Sequence, residues 1–148
     1  MNHLRLSMDL ENLQHFVTAQ DSVYSQVCSE LAAGAKQSHW MWFVFPQLQG
    51  LGRSAMAVKF GIESTEQARA YWLHEILGSR LKECVTLVLA VKGKTAFQIF
   101  GTPDDLKFRS CMTLFAHAVP EEPVFKQALV KYFNGVDDPR TKELLIRR

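Results

Sequence analysis

Leu10, Leu13, Phe16 and Val17 recur at the three- and four-residue spacing that puts side chains on one helix face. Val23, Val27 and Leu31 repeat the pattern after Asp21 and Ser22, residue types that suit an N-cap, and Gly34 supplies a stop. Residues 38–52, S-H-W-M-W-F-V-F-P-Q-L-Q-G-L-G, break this rhythm. They are apolar on every side from Trp40 to Phe45 and close on Pro46, Gly50 and Gly52. Periodicity does not separate strand from helix in such a run. With no alternating strand elsewhere to pair with it, a short buried helix at the centre of the fold is predicted.

Ser54 to Phe60 reads as a short helix stopped by Gly61. Ser64 and Gln67 form a capping box ahead of Ala68, Tyr71 and Trp72. After a break near Glu75, Leu77, Leu81, Cys84, Val85, Val88 and Leu89 make a broad stripe that ends at Gly93. Thr95 to Phe100 is a turn or two. Thr102-Pro103-Asp104-Asp105 is the clearest helix start, with Thr102 at the N-cap, Pro103 at the first helical position and two acids at the positive end of the dipole. Phe108, Cys111, Met112 and Phe115 form its apolar face. Pro120 to Pro123 opens a helix through Phe125, Leu129 and Phe133 to Asn134-Gly135, and Asp138-Pro139 opens a last one carrying Leu144 and Leu145.

The pattern amounts to roughly seven to nine mostly short helices joined by Gly and Pro turns. It predicts an all-α fold, an orthogonal array around one core rather than a long four-helix bundle. Residues 1–8 read as a flexible N-terminal arm and residues 9–148 as a single α-helical domain. A chain of 148 residues, 47% hydrophobic, can bury a core that needs no disulfide or metal. The net charge of +2 argues against nucleic acid as a partner. Arg80, Lys82, Lys92, Lys94, Lys107 and Arg109 make one region locally basic, as a solvated face or as attraction for a small anion. Cys28, Cys84 and Cys111 are odd in number and contain no C-x-x-C, so they read as small buried hydrophobes in a reducing compartment. No ligand spacing suggests a metal, and no cofactor is expected. No apolar leader is visible, and the run Trp40 to Phe45 is far short of the roughly 20 residues of a membrane span, which predicts a cytoplasmic protein with no membrane attachment.

Several blocks together resemble a known family: F-V-T-A-Q (16–20), G-A-K-Q-S-H-W-M-W-F-V-F-P-Q-L-Q-G-L-G-R-S (34–54), A-Y-W-L-H-E-I-L-G-S-R-L (70–81), I-F-G-T-P-D-D-L-K-F-R-S-C-M-T-L-F (99–115) and F-K-Q-A-L-V-K-Y-F-N-G (125–135). They are similar, along nearly the whole chain, to the bacterial domain of unknown function numbered 1810. The resemblance implies an all-α single domain and no established activity. A calpastatin label carried by some relatives does not fit this chain, because that inhibitor is disordered and repetitive whereas this sequence is apolar, aromatic and unrepeated. One departure from the family pattern is Glu75, where a proline is expected after His74; it bears on how sharply two helices break there.

The candidate chemistry gathers around the aromatic run and the helix that follows Pro103. His39 is a candidate acid, base or polar anchor, since imidazole titrates near neutrality; the structural alternative is a core-edge histidine bonded to a carbonyl. Trp40 and Trp42 offer flat faces to a nucleobase, but two residues apart on a helix they cannot face the same way, so one belongs to the core. Gln47, after Pro46, is a ligand amide or a loop brace. Ser54 caps a helix or heads a turn whose amides hold an anion, although neither Walker nor dinucleotide spacing is met. Asp104 and Lys107 are a surface pair or an acid and a cation presented together, and Ser110 adds a hydroxyl one turn on. The order D-x-x-K-x-x-x-x-M followed by F-x-x-A-L is loosely similar to the all-α family that cleaves ADP-ribosyl and N-glycosidic bonds, where a carboxylate would stabilise oxocarbenium character. Cys111 has no histidine placed beside it to make it a nucleophile.

These residues give the leading expectation: a pocket for a small polar or nucleotide-like ligand, lined by the aromatic stretch and the 104–113 helix. Asp104 and His39 are its catalytic candidates, and Trp40, Trp42, Gln47, Ser54, Lys107 and Ser110 its binding candidates. A protein-interaction module without catalysis and a hydrolase of ADP-ribosyl or N-glycosidic bonds stand as alternatives. Convergence of His39, Gln47, Asp104 and Lys107 on one cavity would favour the pocket; dispersal, with an exposed apolar patch, would favour the interaction module.

Overall fold

The computed structural model describes residues 13–147, so Leu10 and the arm expected at residues 1–8 lie outside the described residues. Among the described residues ten helices follow one another: α1 (Gln14–Asp21), α2 (Tyr24–Ala32), α3 (Met41–Val44), α4 (Ala55–Lys59), α5 (Thr65–Leu73), α6 (Glu75–Ala90), α7 (Ala96–Phe100), α8 (Asp104–Ala118), α9 (Val124–Phe133) and α10 (Pro139–Arg147). The fold is all-α. Among the described residues extended pairing is confined to one isolated parallel bridge, Leu48 with Ile62. No described helix is long and apolar enough to cross a membrane.

The helix at the centre is α8, not the aromatic run. Every residue from Ser110 to Ala116 is buried, and α5, α7, α9 and α10 all pack on it. Two of those residues are polar, and each satisfies its hydroxyl within the helix: Ser110 Oγ donates to the Leu106 carbonyl at 3.1 Å and Thr113 Oγ1 to the Arg109 carbonyl at 2.9 Å. The Thr113 hydroxyl also accepts from the Asp138 amide at 2.9 Å, which fixes the start of α10. Phe108 and Phe115 anchor two aromatic clusters, one with Phe45 and Phe100, the other with Tyr71 and Phe125.

The aromatic run forms a single turn, α3, shorter than expected. It is held from outside. Gln20, buried on α1, donates from Nε2 to the Phe43 carbonyl at 2.6 Å and to the Tyr71 hydroxyl at 3.0 Å. Its Oε1 accepts from Arg80 at 3.3 Å. The segment before the run is fixed by Glu30, only 8% exposed. Its carboxylate accepts from the amides of Gln37 (2.8 Å) and Ser38 (3.0 Å), from the Ser38 hydroxyl and from the Trp40 indole (3.0 Å). Burial works against the charge, but these donors outweigh it and hold the Glu30 carboxyl down at about 2.

Local caps explain where several helices begin. Ser54 Oγ accepts from the Ala57 amide at 3.1 Å and Ser64 Oγ from the Gln67 amide at 3.0 Å. The Gln67 side chain reaches back to the Glu63 amide, one residue before the expected partner. Thr95 and Gln98 form a complete capping box that the pattern reading did not pick out. Two expected starts shift. Ser22 closes α1 and does not open α2, which starts behind Val23 without a side-chain cap. Pro103, after a cis Thr102–Pro103 bond, stands at the N-cap of α8, where Thr102 was expected.

The α5–α6 joint is sharp although Glu75 stands where the resemblance leads to the expectation of a proline. His74 ends α5 with extended backbone and caps α6, its Nδ1 accepting from the amides of Ile76 (3.1 Å) and Leu77 (3.3 Å). Gly78, one turn into α6, allows the close approach: a Cβ there would lie 1.9 Å from the Trp72 carbonyl oxygen.

Candidate functional site

A cavity of about 420 Å³ opens between the segment after α3 and the first turns of α8 and α10. One wall is Trp42, Gln47 and the Leu51–Ser54 turn; the other is Pro103, Leu106, Lys107 and Ser110; Asp138 and Arg140 complete it. Gln47 reaches it through backbone alternation. The Gln47 carbonyl accepts from the Ile62 amide at 2.9 Å, and the Gln49 amide donates to the Ile62 carbonyl at 2.7 Å. Leu48 between them is buried, so its neighbour Gln47 turns the opposite way, toward the cavity. Lys107 and Ser110 lie three apart on α8 and therefore share a face.

The two tryptophans divide. Trp40 is 1% exposed and belongs to the core. Trp42 is half-buried and lines the cavity, with the Lys107 ammonium 4.9 Å from its ring centroid. Between them runs an ordered series of charges. Lys36, its side chain 5% exposed, lies 5.0 Å from the Trp40 ring and 2.8 Å from Asp104 Oδ2; Asp104 Oδ1 lies 3.6 Å from Lys107. Asp104 is thus committed to two ammonium groups behind the cavity wall.

Five of the eight sequence candidates line this cavity: Trp42, Gln47, Ser54, Lys107 and Ser110. The hydroxyls of Ser54 and Ser110 are engaged in their own helices, the first as a cap and the second on the Leu106 carbonyl. Trp40 and Asp104 stand behind the cavity. His39 is exposed and does not line this cavity. Trp40 takes the inward position next to it, and the chain turns the imidazole outward.

Arg53, Arg140 and Asp138 line the cavity without having been candidates. Both arginines are exposed, and neither forms an ion pair among the described residues. Asp138 is turned to its own helix: Oδ2 accepts from the Thr141 amide at 2.9 Å and hydroxyl at 2.5 Å. Arg53 was visible only as part of a turn, and Arg140 carries no sequence signal, being an ordinary cation in the first turn of a surface helix. Among the described residues no group of three or more His, Cys, Asp or Glu side chains could hold a metal ion.

The three cysteines are free. Burial raises all three thiols, Cys84 to about 12 and Cys111 well above its usual range. Cys84 Sγ donates to the Tyr24 hydroxyl at 3.9 Å, and that hydroxyl and Cys28 Sγ (3.7 Å) both donate to Glu83 Oε1.

Of known proteins, the conserved hypothetical protein Rv1873 from Mycobacterium tuberculosis, a solved crystal structure, is similar at 53% identity over 91% of this chain and 96% of that one, with a TM-score of 0.90. None of the curated proteins compared matches. The family described as "Protein of unknown function (DUF1810)" matches residues 10–145, and the chain belongs to that family.

Proposed function

We propose that this protein binds a small anionic, nucleotide-like ligand in the cavity between Gln47 and Arg140. The observation that carries the proposal is the meeting of Arg53, Lys107 and Arg140 in one concave site, with both arginines free of carboxylate partners. Guanidinium groups without internal partners keep their forked donors for an incoming anion. Beside them the Gln47 side-chain amide forms no hydrogen bond to the described residues, and Trp42 offers an aromatic surface. The volume suits a small molecule. Three free thiols support a reducing, cytoplasmic setting for this binding.

The chemistry of the cavity favours binding over glycosidic hydrolysis. Hydrolysis would need a carboxylate aimed at the ligand. Asp104 is occupied by Lys36 and Lys107, and Asp138 by Thr141.

A thermal-shift screen against nucleotides tests the proposal. A ligand at a hundred times its Kd adds about 2.7 kcal/mol to the folded state, which raises Tm by about 5–10 °C for a chain this size. His39→Ala should leave the shift unchanged, since the imidazole lies outside the cavity. Failure of every anionic nucleotide to shift Tm, or loss of the shift in His39→Ala, would overturn the assignment.

A further inference from the structure

We infer that the recognised group is a phosphate monoester dianion, taken in preference to a diester; this rests on the reading of the cavity as an anion site. Three cations and one carboxylate line the cavity, a net of +2. The carboxylate, Asp138, faces the Thr141 amide and hydroxyl on its own helix. Asp104, on α8 behind Lys107, is matched from the other side by the buried Lys36. Neither acid therefore pairs with Arg53 or Arg140. A dianion balances the net charge, whereas a monoanion leaves one cation without a partner in a partly enclosed site.

The donor geometry points the same way. Each guanidinium presents a planar fork that takes two oxygens, and the Lys107 ammonium is a third donor centre. A monoester has three terminal oxygens to share among these groups. A diester has two, and so leaves one of these donor centres without an oxygen. Lys107 also sits against the Trp42 ring, so the same cation that meets the phosphate touches the surface available to a base.

Calorimetric titration of the protein, Arg53→Gln and Arg140→Gln with adenosine 5′-monophosphate, its 3′,5′-cyclic diester and adenosine tests this. The monoester should bind about tenfold or more tightly than the cyclic diester, and each glutamine variant should lose about tenfold in monoester affinity while its ligand-free Tm stays unchanged. Equal affinity for monoester and cyclic diester would overturn the dianion inference and leave the anion site standing. Adenosine binding as well as its monophosphate, no binding by any of the three, or arginine variants that bind like the parent, would overturn both.

Discussion

Replacing Gly78 with alanine puts two effects of opposite sign in competition. Gly78 lies inside the sixteen-residue helix α6 with ordinary helical backbone, so intrinsic propensity alone makes alanine better by about 0.8–1.0 kcal/mol. The packing argues otherwise. A Cβ would meet the Trp72 carbonyl oxygen at 1.9 Å and its carbon at 2.9 Å, where a carbon–oxygen contact needs about 3.3 Å. Both atoms belong to backbone, so no side chain can swing aside. The joint must open by more than about an ångström, at an overpacking cost of about 3 kcal/mol. Opening it also strains the His74 cap, worth about 1 kcal/mol, and disturbs the edge contact of Trp72 on Phe125. The net expectation is a loss of about 2–3 kcal/mol, a fall in Tm of about 4–12 °C. Urea unfolding followed by tryptophan fluorescence measures it, with exposed Ser79→Ala on the same helix as the control that feels propensity but no clash. A Gly78→Ala protein as stable as the parent, or more so, would show that the helix pair does not need this approach.

Two further outcomes follow from ionisation. Glu30, with its carboxyl at about 2 instead of the usual 4.5, stabilises the fold fully above about pH 4.5; that contribution, about 3 kcal/mol, is lost as pH falls through 2. Urea midpoints between pH 5 and 2 should drop steeply in the parent and less in Glu30→Gln; parallel slopes would refute the role given to this carboxylate. Native protein at neutral pH should react slowly with a thiol reagent, first at half-buried Cys28, while Cys84 and Cys111 react only in denaturant; rapid modification of Cys111 in native protein would contradict its burial.

Helix ends were legible in the sequence where the capping group is local. Ser54, Ser64, Asp138-Pro139 and Asn134-Gly135 act within a few residues of themselves, and each marks its helix in the structure. Long-range groups decide the rest. Pro46 ends the aromatic run locally, but the groups that hold its single turn, Gln20 and Glu30, come from two other helices, and no window of sequence contains that information. The central helix was disguised by Ser110 and Thr113, which look like surface positions until their hydroxyls are seen returned to the preceding turn. The candidate site divides in the same way. Trp42, Gln47 and Lys107 were recognisable by type and neighbourhood. Asp104 is drawn away by Lys36, far off in the chain, and only folding brings Arg53 and Arg140 to one cavity.

The separation of Trp40 from Trp42 gives the molecule an optical asymmetry. One indole sits dry, its N–H fixed on a carboxylate; the other borders the cavity with an ammonium against its ring. Of the three tryptophans only Trp42 lines the cavity, so a solute entering it would alter the emission of Trp42 and leave Trp40 and Trp72 as the unchanged background. Replacing Trp40 and Trp72 with phenylalanine would isolate a reporter that the chain places two positions from a buried indole.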